Sequence, residues 1–159
     1  MNEPSCCTTS EALTSCPACG ARGKTIKLIT LKALLLPHAL TTLEPAEHYR
    51  FCPDAACEVT YFSDHRAYSR ADVKVPVYQK DPGDSVPVCY CFAYTRRNLE
   101  LAAHDESTHE IPRVIQDHIK AGRCGCEVNN PQGSCCLGNV NKALTRLREA
   151  KPPPLRAQE

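Results

Sequence analysis

The 159 residues contain no tryptophan, three phenylalanines, six tyrosines and one methionine, so few large side chains are available to fill an interior. The hydrophobic fraction of 42% counts cysteine as apolar, and without it about 35% remains against a usual ~45%. A chain this short and this poor in ordinary core residues needs a covalent or metallic staple. Charge of one sign is also missing: 19 basic against 18 acidic side chains leave a net charge of +1. Such a balance supplies no global field for nucleic acid or anionic lipid. The most apolar stretch, Leu28 to Leu40, is interrupted by Lys32, Pro37 and His38 and falls short of the ~20 residues of a membrane span. Residues 1 to 25 hold no apolar leader segment, which disfavours secretion. G-x-S-x-G, P-loop and Rossmann fingerprints are absent, and the histidines near Asp105 and Asp117 read as solvated residues on polar helix faces.

What the chain has in abundance is cysteine, 12 in all, together with 13 prolines. In the reducing cytoplasm expected from the lack of a leader, regularly spaced thiols mean metal ligation or redox chemistry rather than disulfides. Cys16 and Cys19 form a C-x2-C knuckle in CPACG, and Cys52 and Cys57 follow as C-x4-C. Two chelating turns separated by a loop of this length suit tetrahedral zinc, and four thiolates leave no open position for water, so the site is structural. Gly20 supplies the positive φ that a knuckle needs. His48, four residues before Cys52, reads as a solvated strand histidine and not as a ligand.

Residues 1–15 are polar and read as a flexible tail carrying the vicinal pair Cys6 and Cys7. The alternation over Arg22 to Ile29 predicts a half-buried strand, followed by the apolar run Leu31 to Leu36. His48 to Cys52 and Glu58 to Ser63 predict a hairpin around the second knuckle, and Val73 to Gln79 a further extended piece. DPGDSVP, Asp81 to Pro87, marks a linker between a zinc-binding β subdomain at 16–80 and a helical subdomain at 86–150, with a proline-bearing tail at 151–159. In the second part Thr95 caps a helix through Leu99 and Ala102, and Pro112 opens one that carries Ile115 and ends at Gly122. Ser134 caps a third with Val140, Leu144 and Leu147 on one face. The expected fold class is α+β.

The second part carries its own thiols. Cys89 and Cys91 form C-x-C, and Cys124, Cys126, Cys135 and Cys136 flank the turn-forming NNPQG. Loop and helix ends rich in unpaired N–H groups suit the sulfides of an iron-sulfur cluster, which the spacing favours over a second zinc.

The runs VCYC (Val88 to Cys91) and CEVNNPQGSCCLG (Cys126 to Gly138) resemble the 2Fe-2S region of the bacterioferritin-associated-ferredoxin type. The order CPACG, FCPDAACEVTYF, VCYC and NPQGSCC, spread over roughly residues 14 to 148, is similar to the N-terminal domain of the CopZ copper chaperone family. The resemblance implies zinc on Cys16, Cys19, Cys52 and Cys57, and a 2Fe-2S cluster on Cys89, Cys91, Cys126 and Cys136. It further implies reduction of Cu(II) to Cu(I) for a metallochaperone domain. The 159 residues contain no M-x-C-x-x-C copper-carrying motif, so the expected recipient is a separate metallochaperone or a metal-transport ATPase. The electron donor is unassigned, and mercury is an alternative thiophilic metal.

Cys6 and Cys7 are expected as an auxiliary capture site for a soft metal, against the plain alternative of unligated tail thiols. Cys124 and Cys135 are expected as spare thiols near the cluster, Cys135 either docking an incoming ion or packing as a small buried side chain under the third helix. The leading expectation is thus a small electron-transfer or metallochaperone-type protein, with metal-ion reductase activity open. A regulatory or nucleic-acid-binding zinc ribbon using Lys24, Lys27 and Lys32 is the alternative from another class, and an interaction module with two zincs a third.

Overall fold

The computed structural model describes residues 12–105 and 110–150. Its architecture is α+β, with a four-stranded antiparallel sheet, a separate two-stranded ribbon and six helices among the described residues. The sheet runs in the order β1 (Lys24–Thr25), β2 (Arg50–Phe51), β3 (Val59–Phe62), β4 (Ala67–Ser69). The expected hairpin is its centre, with Arg50 opposite Phe62 and Phe51 opposite Tyr61. Successive strand residues face opposite sides. Tyr61 therefore joins the main apolar cluster with Leu31, Leu35 and Tyr49, while Phe62 packs on Cys16, Cys52 and Cys57.

The strand expected over Arg22 to Ile29 is a correction. Only Lys24 and Thr25 form a strand, Arg22 makes an isolated bridge to Ser15, and Leu28–Leu34 is a helix, α1, with Leu31 and Leu34 buried. The leucines at positions 28, 31, 34 and 35 recur at three and four residues, and burying that stripe outweighs the short local alternation. Leu36, held extended by the proline after it, ends the run, and Pro37 opens α2 (Pro37–Leu40). The extended piece at Val73 to Gln79 is reduced to one bridge between Val73 and Leu35. From Val77 onward the chain turns, with the amides of Lys80 and Asp81 both bonded to the Val77 carbonyl.

The ribbon pairs β5 (Pro87–Cys89) with β6 (Tyr94–Thr95) through a turn in which Ala93 has φ +57°. Thr95 caps α3 (Arg96–His104), as expected, and the Asn98 side chain returns a bond to the Thr95 amide. The next helix, α4, spans Glu110–Lys120 and stops before Gly122, whose φ is +69°. A four-residue helix, α5 (Cys126–Asn129), was not expected, and α6 covers Leu137–Glu149. The expected Ser134 cap is also corrected. Cys136 occupies the N-cap position without a side-chain bond, and the Ser134 hydroxyl accepts from Lys24 Nζ instead.

The core is divided, as its thin composition requires. One cluster lies under the sheet, one joins Val88, Leu99, Ile115, Val140 and Leu144 to Cys89 and Cys136, and the third is built on the first cysteines. The clusters are tied across the chain. Tyr61 Oη donates to the Pro131 carbonyl at 2.7 Å, and Lys27 pairs with Glu127. The segment expected as a linker is itself anchored, because Arg70 holds the Asp81 carboxylate at 2.9 Å and the Asp81 carbonyl accepts from Arg96 Nη2.

Candidate metal centres

The first centre assembles from two turns that the sheet brings together. Gly20, at φ +76°, closes the Cys16/Cys19 knuckle, and its amide donates to the Cys16 carbonyl at 2.8 Å. In the second turn the Asp54 carboxylate accepts from the Ala56 amide at 2.8 Å, while the Cys52 amide is fixed to the Thr60 carbonyl of β3. The Sγ atoms of Cys16, Cys19, Cys52 and Cys57 all lie within 4.8 Å of one another, with Cys16 to Cys57 at 3.8 Å and Cys19 to Cys52 at 3.6 Å. A tetrahedron with Zn–S bonds of about 2.3 Å has edges of about 3.8 Å, so the donor set fits one zinc ion.

Cys16, Cys52 and Cys57 are buried, and Cys19 is exposed. Burial pushes the Cys52 thiol up to about 12 and raises Cys57 as well. Cys16 feels the same burial, but the amides of Ala18 and Cys19 stabilise its thiolate enough to hold it below the ordinary value. Without a cation the buried Cys52 and Cys57 sulfurs hold protons. A dication converts the set into four thiolates and couples metal binding to folding. Beside it lies a residue that sequence reasoning missed: Lys80, only 6% exposed, donates from Nζ to the carbonyls of Asp54 at 2.6 Å and Cys57 at 3.0 Å. A single lysine in QKDPGD carries no pattern that announces this. His48 is exposed and lies outside the four-sulfur set.

The second group of thiols is arranged differently. Cys89 and Cys136 are buried in the helical cluster, whereas Cys91 and Cys126 are half-buried and stand 3.6 Å apart. Among the described residues, only the first set forms a group whose sulfurs all lie within 4.8 Å of one another. Sharing the single Cys136 S–H proton lowers Cys89 to about 7 and Cys126 to about 6, and the Cys136 thiol is raised in turn. Cys91 Sγ accepts from the Gly125 amide at 3.2 Å and from Asn129 Nδ2 at 3.6 Å, although burial still raises its thiol. Sequence inspection missed both donors, because they come from the short helix α5 and its N-cap. Cys124 is half-buried. Cys135 is exposed, which overturns the expectation of a thiol packed under α6. Cys6 and Cys7 lie outside the described residues.

Residues 13–74 match the zf_CopZ family model, described as a zinc binding domain. The chain is 30% identical over 128 residues to the copper chaperone CopZ of Archaeoglobus fulgidus, an alignment that covers 80% of this chain and 60% of that protein. The X-ray structure of the Archaeoglobus fulgidus CopZ N-terminal domain superposes with a TM-score of 0.69 at 26% identity, covering 80% of this chain and 95% of the domain. The chain carries a CopZ N-terminal-like domain.

The zinc binding match contains all four sulfurs of the first set, and the fit of that set to one ion agrees with zinc as its metal. This CopZ N-terminal-like domain spends two of the three lysines once considered for a basic face on internal ties, Lys24 on Ser134 and Lys27 on Glu127. None of its described helices is long and apolar enough to cross a membrane.

Proposed function

We propose that this chain is a two-centre metal-handling protein, in which Cys16, Cys19, Cys52 and Cys57 hold a structural zinc and Cys89, Cys91, Cys126 and Cys136 hold a 2Fe-2S cluster. The observation that carries the second half is the two-sided setting of its sulfurs. Two irons each take two thiolates, and the set divides into a buried pair, Cys89 and Cys136, and a half-buried pair, Cys91 and Cys126, 3.6 Å apart. Such a cluster supplies one electron at a time, being oxidised as Cu(II) becomes Cu(I). The residues set the conditions for that exchange. Cys89 and Cys136 sit among Val88, Leu99 and Val140, out of water, while Cys91 and Cys126 face the surface from which a metal ion or donor arrives. The Gly125 amide and the Asn129 side chain offset negative charge on Cys91.

Similarity to a copper chaperone supports copper as the cargo, with a separate metallochaperone or transport ATPase as recipient and the cytoplasm as the place. Exposed Cys135 is suited to holding the incoming ion, since thiolates prefer the reduced Cu(I) product. Metal and acid-labile sulfide analysis on anaerobically purified protein tests the reading, with one zinc, two irons and two sulfides expected per chain. Two zincs without sulfide, and a colourless protein, would refute it. Serine at Cys126 or Cys136 is expected to abolish the visible spectrum, while serine at Cys124 or Cys135 preserves it.

A further inference from the structure

Three consecutive residues between the centres, Tyr78, Gln79 and Lys80, each hold a different ligand-bearing turn. Lys80 Nζ binds the carbonyls of Asp54 and Cys57, so it spans the turn that presents Cys52 and Cys57. It has no carboxylate partner among the described residues. A buried ammonium costs several kcal/mol unless opposite charge lies near. Four thiolates around a dication carry a net charge of −2, which Lys80 is placed to offset.

The Tyr78 amide donates at 2.9 Å to the hydroxyl of Tyr90, the residue between Cys89 and Cys91, and that hydroxyl donates at 2.6 Å to the Pro76 carbonyl. Gln79 Nε2 donates at 2.6 Å to Gln132 Oε1 inside the NNPQG turn. Gln132 in turn binds the Cys135 carbonyl at 3.0 Å, next to Cys136. The strap that carries these three residues is braced internally and externally. Val77 N donates to Asp81 Oδ2 at 2.6 Å, and the Arg96 guanidinium stacks over Tyr78 at 4.3 Å while bonding to the carbonyls of Tyr78 and Asp81.

We propose that the strap Pro76–Asp81 is a positioning element that couples the two thiolate centres, so that filling one raises the affinity of the other for its metal. The inference rests on the two-centre reading above. Because each turn is anchored to a neighbouring residue of one braced segment, ordering one turn removes part of the entropy cost of ordering the others. Coupling of this kind is reciprocal and typically reaches 5- to 150-fold in affinity.

The test is zinc affinity of the first centre, measured by competition with a chromophoric chelator, in protein whose second centre is empty or filled. The wild-type chain is expected to bind zinc about tenfold more tightly when the second centre is filled. In Gln79→Ala and Tyr90→Phe the factor is expected to shrink toward one, with zinc affinity of the form empty at the second centre unchanged. Neither side chain is hydrogen-bonded to the zinc-binding turns, and the zinc affinity of the form empty at the second centre reports whether the first centre is intact. Lys80→Met is expected to weaken zinc in both forms. Equal zinc affinity in the two wild-type forms, or a factor that survives both Gln79→Ala and Tyr90→Phe, would overturn the coupling. Failure of the cluster reading is distinguishable: sulfide-free protein with two zincs sinks that reading, and the same comparison, with the second zinc as probe, still decides the coupling.

Discussion

The two thiolate groups of this chain have the same number of proposed ligands and opposite constructions. In the first, two tight turns on one end of the sheet press four sulfurs into a sphere, and burial keeps the Cys52 and Cys57 thiols protonated unless a cation is present. In the second, a ribbon turn and two helix starts hold an inner and an outer pair, with Cys126 already anionic near neutral pH. A compact set that is costly to ionise makes metal binding part of folding. A set in which Cys89 and Cys126 ionise readily can be filled on a scaffold that already stands. The difference separates a staple from a site.

The largest expected effect breaks that comparison if it fails. Cys52→Ser should remove most of the zinc contribution, of the order of 10 kcal/mol for a structural site, and leave a chain without a cooperative thermal transition by circular dichroism. Cys126→Ser should retain that transition with its visible absorption lost, and equal unfolding of both variants would erase the distinction.

Next comes Gly133→Ala, which loads the loop before Cys136. Gly133 has φ +67°, and a Cβ there would stand 2.8 Å from Ile26 Cγ1 and 3.1 Å from Thr30 Oγ1. A destabilisation of roughly 2 kcal/mol is expected in urea unfolding, from left-handed strain plus the clash. Iron should be lost before zinc as denaturant rises.

Charge state sharpens the contrast further. In zinc-loaded, iron-free protein, iodoacetamide at pH 7 should label Cys126 well ahead of Cys124. The shared Cys136 S–H proton holds Cys126 at about 6, whereas burial and neighbouring thiols raise Cys124. Because the reactive form is the thiolate, Cys126 labelling should fall as pH drops through about 6, as peptide mass spectrometry would follow. The smallest effect belongs to Ala93→Gly in the C-x-C ribbon turn. Relief of the +57° backbone should stabilise by about 1 kcal/mol at most, with no change in zinc affinity.

Much of this was legible in the residues themselves. The knuckle spacings named all four sulfurs that meet in the first centre, and Thr95, Leu99, Val140 and Leu144 fell where capping and periodicity put them. Short-range pattern misled at Leu28–Leu34, where eight residues of alternation hid a helical stripe whose partner, the sheet, lies elsewhere in the chain. Ser134 failed as a cap because Lys24, 110 positions away, claims its hydroxyl. Lys80 was invisible for the same reason. Its partners are 23 and 26 residues upstream, and no local period encodes a lysine that turns inward.

The bond from Tyr61 to the Pro131 carbonyl also has a meaning in time. The two residues are 70 positions apart, and a ribosome adding 5–20 residues per second takes roughly 4–14 s to cover that distance. Within that interval the last strand, Ala67–Ser69, is added and the sheet and its cysteines precede the loop, so the surface that Pro131 and Gly133 will cover still faces water. The nascent sheet is therefore the template and the NNPQG loop the late arrival. Zinc bound before the loop arrives gives it a formed surface to land on.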